Sequence, residues 1–146
     1  MKLYLGSDHA GYSLKEKIKI FLTDTGHEVN DLGAFSFDPN DDYPDFIRPV
    51  AEAVSQDPKK SRGVIFGGSG QGEAMCANRF KYIRAAAYYG GPLDIIKLSR
   101  EHNDANVLSF GARFVTEDEA KKALEIWLAA PFDGGRHSRR IDKLEQ

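Results

Sequence analysis

Glu73 sits directly behind four glycines crowded into six positions, in the run Val64-Ile65-Phe66-Gly67-Gly68-Ser69-Gly70-Gln71-Gly72-Glu73. The three apolar residues read as the end of a buried strand, and Glu73-Ala74-Met75-Cys76-Ala77-Asn78 resumes with helix-forming residues. A strand, a glycine turn and a helix start aim several backbone N–H groups at one point, where the helix dipole favours negative charge. A phosphate cradle gains nothing from a carboxylate behind it. A site that steadies an oxyanion while a base removes a proton uses both, and that pairing points to enzyme chemistry.

The spacing fits neither the phosphate loop G-x-x-x-x-G-K-[ST], which wants Lys at Glu73, nor the dinucleotide pattern G-x-G-x-x-G. It is not a serine elbow either, because Gln71 stands where the last glycine of G-x-S-x-G belongs. A tight strand-to-helix turn whose glycines merely relieve strain fits the same residues, so spacing alone leaves both readings open.

The elements that must position these residues alternate along the chain. Leu3-Tyr4-Leu5 reads as a first strand, Leu14, Ile18, Phe21 and Leu22 as a helical stripe ended by Gly26, and His27 to Leu32 as a second strand. Phe46, Ile47, Val50, Ala51 and Val54 mark a helix that Pro49 either kinks or delays. The strand before the glycine turn is the third, Ile83 to Ala87 the fourth, and Val107-Leu108-Ser109-Phe110 the fifth. Leu93 to Leu98 is helical. Thr116-Glu117-Asp118-Glu119 is a capping box opening a helix with Ala120, Ala123, Leu124, Trp127 and Leu128 on its apolar face. Five such alternations predict an α/β fold with a five-stranded parallel sheet covered on both faces, and ligands at the carboxyl ends of its strands.

Length and composition agree with one domain over residues 1–146. The chain is 41% hydrophobic with a net charge of −2, which argues against nucleic acid or an acidic membrane as partner. The apolar stretch at Met1 to Gly6 is too short for a signal peptide, and no run reaches membrane-spanning length. With Cys76 the sole cysteine, no internal disulfide forms, and a cytoplasmic protein is expected. Cys76 has no partner at metal or nucleophile spacing and reads as a packing residue.

Asp8 and His9 follow the first strand and Arg113 the fifth, on the same rim as Ser69 and Glu73, although Asp8 also suits a helix cap. His102, in Arg100-Glu101-His102-Asn103-Asp104, follows a helix and belongs at the opposite end of the sheet. It is either a solvated loop residue or part of a neighbouring subunit's site. Arg136 and Arg140 are four residues apart and share a helical face that suits a phosphate or plain solvent.

Taken together, Gly6-Ser7-Asp8-His9-Ala10-Gly11, Asp42-Tyr43-Pro44, Gly68-Ser69-Gly70-Gln71-Gly72 with Ala77-Asn78, Ile83-Arg84-Ala85, Ser99 to Val107, Phe110-Gly111-Ala112-Arg113 and Gly134-Gly135-Arg136-His137 resemble the type B ribose-5-phosphate isomerases. The wider family includes galactose-6-phosphate isomerase subunits. The resemblance runs in order across nearly the whole chain. It implies a Rossmann-like α/β/α sandwich with a C-terminal tail helix, a sugar-phosphate substrate, and aldose–ketose isomerisation through an enediolate. It also implies a homodimer or dimer of dimers with sites shared between subunits, and no metal or organic cofactor.

Many members place a cysteine base just before the G-[ST]-G loop, where this sequence has Gly67. Another branch places a glutamate immediately after the loop, and Glu73 matches it. By the same resemblance His102 opens the furanose ring with help from Ser69, and the backbone of Gly68, Gly70, Gln71 and Gly72 holds the enediolate oxygen. Asp8, His9, Tyr43 and Asn103 bind hydroxyls or the ring oxygen, and Arg113, Arg136 and Arg140, with His137, bind the phosphate. The alternatives are a six-carbon sugar phosphate (allose 6-phosphate or galactose 6-phosphate) as substrate, or a non-catalytic phosphate-binding module, which leaves Glu73 unexplained.

Overall fold

Alternating residues of the central strands feed two separate cores, and that decides the layering. The computed structural model describes residues 1–145. Its elements are β1 (Lys2–Ser7), α1 (His9–Asp24), β2 (Glu28–Asp31), α2 (Pro44–Gln56), β3 (Ser61–Gly67), α3 (Gln71–Ala77), β4 (Ala85–Tyr88), α4 (Asp94–Glu101), β5 (Val107–Gly111), α5 (Glu117–Ala129) and α6 (Arg136–Leu144). The five strands form one sheet in the order β2-β1-β3-β5-β4, and every pairing is parallel.

β3 is buried along its whole length. Val64 and Phe66 join Leu3, Leu5, Leu108 and Phe110 beneath Leu14, Ile18 and Leu22 of α1, Ile96 of α4 and Leu124 and Trp127 of α5. Ile65 and Val107 face the other way, onto Ile47, Val50 and Val54 of α2 and Ala77 of α3. A parallel sheet covered on both faces is the α/β/α sandwich that the alternation predicts. Among the described residues no helix is long and apolar enough to cross a membrane.

The helix starts follow the sequence signals. Asp8 caps α1 by accepting from the Gly11 N–H at 3.1 Å, and Thr116 and Glu119 close the capping box of α5. Pro44 opens α2, and Pro49 lies inside it, so the helix is not delayed. The fourth strand starts at Ala85 rather than Ile83. Ile83 is buried in the core under α2, and the Arg84 N–H is taken by the Asn106 side chain at 2.8 Å. At the far end of α5, the buried Arg62 donates to the carbonyls of Trp127 and Leu128 at 3.1 and 3.3 Å, satisfying acceptors the helix leaves open. Burial, with help from Arg100, pushes Arg62 down to about 10, which still leaves it charged at neutral pH.

Topology and register together place the site. β1 leads into α1 on one face of the sheet, while its neighbour β3 leads into α3 on the other, which opens a crevice between their carboxyl ends. Ser7 pairs with Phe66, and Gly67 pairs with Gly111, so the three chains leave the sheet at one level. Beyond the strands, Gly67 and Gly68 still accept from the Ala112 and Arg113 N–H groups at 2.8 and 3.1 Å.

A buried ion pair fixes the rim beside it. Lys15 of α1 is wholly buried, and its Nζ lies 2.7 Å from both Asp31 carboxylate oxygens and 2.9 Å from Glu16. Lys19 adds a contact of 2.8 Å to Asp31, and the Gly33 N–H another at 3.0 Å. Burial pushes the Asp31 carboxyl up, but the hydrogen bonds from Lys15, Lys19 and Gly33 more than offset it and hold it below the ordinary aspartate value. A carboxyl depressed in the fold adds stability above its unfolded value, about 3.9, and loses it as pH falls through the folded value. Asp31→Ala leaves Lys15 with Glu16 alone, so chemical denaturation at pH 7 should register a loss near the lower end of about 3–5 kcal/mol. The gap to wild type should narrow below about pH 4.

Candidate active site

The crevice holds a cavity of about 380 Å³ lined by Asp8, His9, Tyr43, Gly68, Ser69, Gly72, Glu73 and Arg113. Four separate stretches supply them. Asp8 and His9 open α1, Tyr43 precedes α2, the glycine loop links β3 to α3, and Arg113 follows β5. A larger hollow of about 730 Å³ opens where the strands begin, among Met1, Lys2, Tyr4, Lys59 and Lys60. It has neither the glycine loop nor a buried carboxylate, so size alone does not mark the site.

Gly67 and Glu73 meet beneath the loop. Glu73 is the third residue of α3 and is only 4% exposed. Its carboxylate turns back beneath the loop, so that a Cβ placed on Gly67 would run into Glu73 Oε1 and Cδ. Gly70 turns the loop with a φ of +75°, a conformation that side chains resist, and a Cβ there would press on the Phe110 carbonyl carbon at 2.8 Å. Arg113 lies flat against Gly68, and the Tyr43 phenol lies against Gly72. Among the described residues, the N–H groups of Gly68, Ser69 and Gly70 donate to no protein acceptor, while the Gln71 N–H reaches Ser69 Oγ at 3.3 Å. Free donors above a buried carboxylate are what oxyanion stabilisation and proton abstraction need side by side.

Burial pushes the Glu73 carboxyl above the ordinary glutamate value. Its own backbone N–H opposes the shift, and the nearby Asp8 carboxylate adds to it. Asp8 has a double task, because one oxygen caps α1 while the residue also lines the cavity. His9 is held from behind. Its Nδ1 lies 2.6 Å from Asp41 Oδ1, which also accepts the His9 backbone N–H at 3.1 Å. The sequence reading missed Asp41, whose one available signal was its position beside Asp42-Tyr43-Pro44.

The remaining candidates form a second group. Gly70 and Gln71 belong to the loop but do not line the cavity, and neither do His102, Asn103, Arg136, His137 or Arg140. His102 caps the end of α4, and its ring stacks on His137 of α6 at 4.4 Å with 9° between the planes. Burial pushes His137 below the ordinary histidine value, with His102, Arg136 and Arg140 adding to the effect and Asp133 opposing it. Arg136 and Arg140 are exposed. Asn103 lines a separate hollow beside Asn78 and Arg84.

Two clusters bring possible metal ligands within 4.8 Å of one another: Asp8, His9 and Asp41, and His102, Asp133 and His137. In the first, His9 Nδ1 and one Asp8 oxygen are already engaged in hydrogen bonds. In the second, a metal would have to lie in the planes of two nearly parallel rings, which do not meet nearby.

A family model described as Ribose/Galactose Isomerase matches residues 3–144. The chain belongs to that family. Ribose-5-phosphate isomerase B of Mycolicibacterium paratuberculosis is 41% identical over 147 residues, covering 100% of this chain and 91% of the relative. The Escherichia coli protein of the same name is 39% identical over 143 residues, covering 98% and 93%. The crystal structure of ribose-5-phosphate isomerase B from Mycoplasma genitalium with bound ribulose-5-phosphate superposes with a TM-score of 0.95 at 42% identity, covering 99% of this chain and 93% of that one.

Cys76, three residues beyond Glu73 in α3, does not line the cavity. It is half-buried, and burial pushes its thiol up, with Arg48 opposing and Glu73 adding to the shift, so it is a poor thiolate at neutral pH. Glu73 is the reverse case to Asp31. A carboxyl raised in the fold favours folding below its unfolded value, and that contribution is lost as pH rises through the folded value. Glu73→Gln removes the buried charge, so at pH 7 the variant should melt at a higher temperature than wild type. The difference should shrink in scans below about pH 4, where the wild-type carboxyl is protonated in both states.

Proposed function

We propose that the chain interconverts D-ribose 5-phosphate and D-ribulose 5-phosphate, with Glu73 as the base. One observation carries this reading: the Glu73 carboxylate fills the volume into which a side chain at position 67 would project. The resembling enzymes that use cysteine carry it at that position, so both solutions deliver a base to one point beneath the loop. A relative whose structure holds ribulose-5-phosphate and shares the fold over nearly the whole chain supports the choice of substrate.

The steps follow from the groups in the crevice. Glu73 takes the proton from C2 as the C1 carbonyl becomes an enediolate, whose oxygen is held by the loop N–H groups and the Ser69 hydroxyl. The protonated carboxyl then returns the proton to C1, the hydroxyl proton of O2 passes to O1, and the ketose results. A carboxyl raised by burial is better matched to this return step than an ordinary glutamate. Asp8, His9, Tyr43 and Asn103 bind the sugar oxygens, and Arg113, Arg136 and Arg140 bind the phosphate with His137 beside them. His102 opens the furanose ring. Since His102, Asn103, Arg136, His137 and Arg140 do not line the cavity that holds Glu73, a second copy of the chain supplies them, in a homodimer or dimer of dimers.

Glu73→Gln keeps size and polarity but accepts no proton, so kcat on ribose 5-phosphate should fall on the order of 10³-fold or more, about the upper range of a general base. Exchange of the C2 proton with deuterated solvent should fall in parallel, and near-normal turnover would remove Glu73 as the base. Turnover of allose 6-phosphate and galactose 6-phosphate alongside decides pentose against hexose, and no turnover of any of them leaves the binding-module reading.

The shared pocket has its own test. Homodimers of Glu73→Gln and of His102→Ala should each be nearly inactive on the cyclic substrate. Mixing them under conditions that exchange subunits creates heterodimers with one doubly altered pocket and one intact pocket, and activity should reappear in step with the heterodimer fraction. No recovery despite proven exchange would mean that both residues serve one subunit's pocket.

A further inference from the structure

The carboxylate of Asp41 is the most deeply placed charged group at the site that the mechanism above leaves unused. Its side chain is 7% exposed, and Oδ2 is buried with no hydrogen-bond partner among the described residues. Oδ1 accepts twice from a single residue, from the His9 backbone N–H at 3.1 Å and from His9 Nδ1 at 2.6 Å. On its other side the His9 ring lines the cavity that holds Glu73, with Phe37 packed edge-on at 6.1 Å. A buried carboxylate oxygen left without a donor is costly, and capping a loop N–H requires one oxygen and no charge. A neutral asparagine or serine would do that much.

Resting on the isomerase reading, we propose that Asp41 is a positioning residue that acts through His9. It holds a proton on Nδ1, fixes the plane of the ring, and keeps Nε2 directed at the sugar as a hydrogen-bond donor. The logic is that of a carboxylate behind a working imidazole, in which the nitrogen facing the substrate takes its role from the bond made by the other. With a carboxylate at Nδ1, that nitrogen must carry hydrogen, because two acceptors do not bond at 2.6 Å. In the imidazolium, Nε2 also carries hydrogen and donates. In the neutral ring Nε2 bears the lone pair, and the donor is lost.

The groups facing His9 set where this change occurs. The hydrogen bond to Asp41 pushes His9 above the ordinary histidine value, burial opposes it, the charges of Asp8 and Asp41 add to it, and Arg113 across the cavity opposes it. Tyr43 and Glu73 share the cavity wall. Asp41 thus extends to higher pH the range in which His9 donates to a sugar oxygen, and substrate binding weakens as pH rises through that titration.

Asp41→Asn and Asp41→Ala separate charge from shape. The His9 backbone N–H needs an acceptor at Oδ1, so the asparagine variant presents its carbonyl there, keeps the Nδ1 proton and loses only the charge. Histidine-selective ¹⁵N NMR on the full-length protein, with His9→Gln to assign the signal, reads tautomer and titration without reference to activity. Wild type should show the Nδ1–H form when neutral. Asp41→Asn should keep that form and titrate at lower pH, and Asp41→Ala should lose both features.

In parallel, KM for ribose 5-phosphate should begin its alkaline rise at lower pH in Asp41→Asn, with kcat/KM at neutral pH down about 10–100-fold, the range seen when a metal-bound histidine loses its outer carboxylate. A purely structural carboxylate would alter melting while leaving the His9 titration in place. That outcome, or a wild-type neutral ring protonated on Nε2, overturns the proposal. If neither variant folds, the wild-type tautomer alone decides it. Absence of ribose 5-phosphate turnover in wild type would instead overturn the isomerase reading, and the spectra would still judge the Asp41–His9 pair.

Discussion

The parallel register of β1, β3 and β5 is the constraint on which the site depends. Ser7, Phe66, Gly67 and Gly111 leave the sheet at one level because the ladder pairs them, and each following loop therefore starts within reach of the others. A slip of one residue would exchange the side chains that Val64, Ile65 and Phe66 send into the two cores, so their fit on each face holds the register as it holds the packing. The chemistry at the rim is thus positioned by apolar residues that never meet the ligand. The two bonds from the Ala112 and Arg113 N–H groups to Gly67 and Gly68 extend the same alignment past the last strand residue.

On that frame the site is assembled from groups with few alternatives. Glu73 is on a helix of just seven residues, and the absence of side chains at Gly67, Gly68 and Gly72 lets its carboxylate, Arg113 and Tyr43 each lie close against the loop. Asp8 serves a helix cap and the cavity at once. The Lys15–Asp31 pair ties α1 to the end of β2, and the chain then runs through the loop that brings Asp41 and Tyr43 to the rim. These supports differ in kind: packing, a cap, and a buried ion pair.

Much of this was legible in the sequence because it depends on local pattern. The strand alternation, the capping box at Thr116 and the glycine turn before Glu73 are read within a few residues, and each appears where the pattern puts it. The start of the fourth strand was misjudged because Ile83 is apolar for the sake of the α2 side of the core, and strand pairing begins only at Ala85. Asp41 was invisible for a different reason. Its partner is His9, 32 residues earlier, and no local periodicity links them. His102 illustrates a third case. The topology put it away from Glu73, and the structure stacks it on His137 outside the cavity, a pairing made by the tail helix that spacing did not reveal.

The overlap between Gly67 and the Glu73 carboxylate also bears on how such a site changes over generations. A side chain gained at position 67 while Glu73 is present collides with it, and shortening Glu73 first removes the carboxylate proposed above as the base. On that proposal each single step is harmful and the paired exchange is not, which couples the two positions in reciprocal sign epistasis. A lineage that moves the base from one position to the other must cross a fitness valley or make both changes together. Exchange between the two solutions should therefore be rare, and each should persist within its own branch of descent.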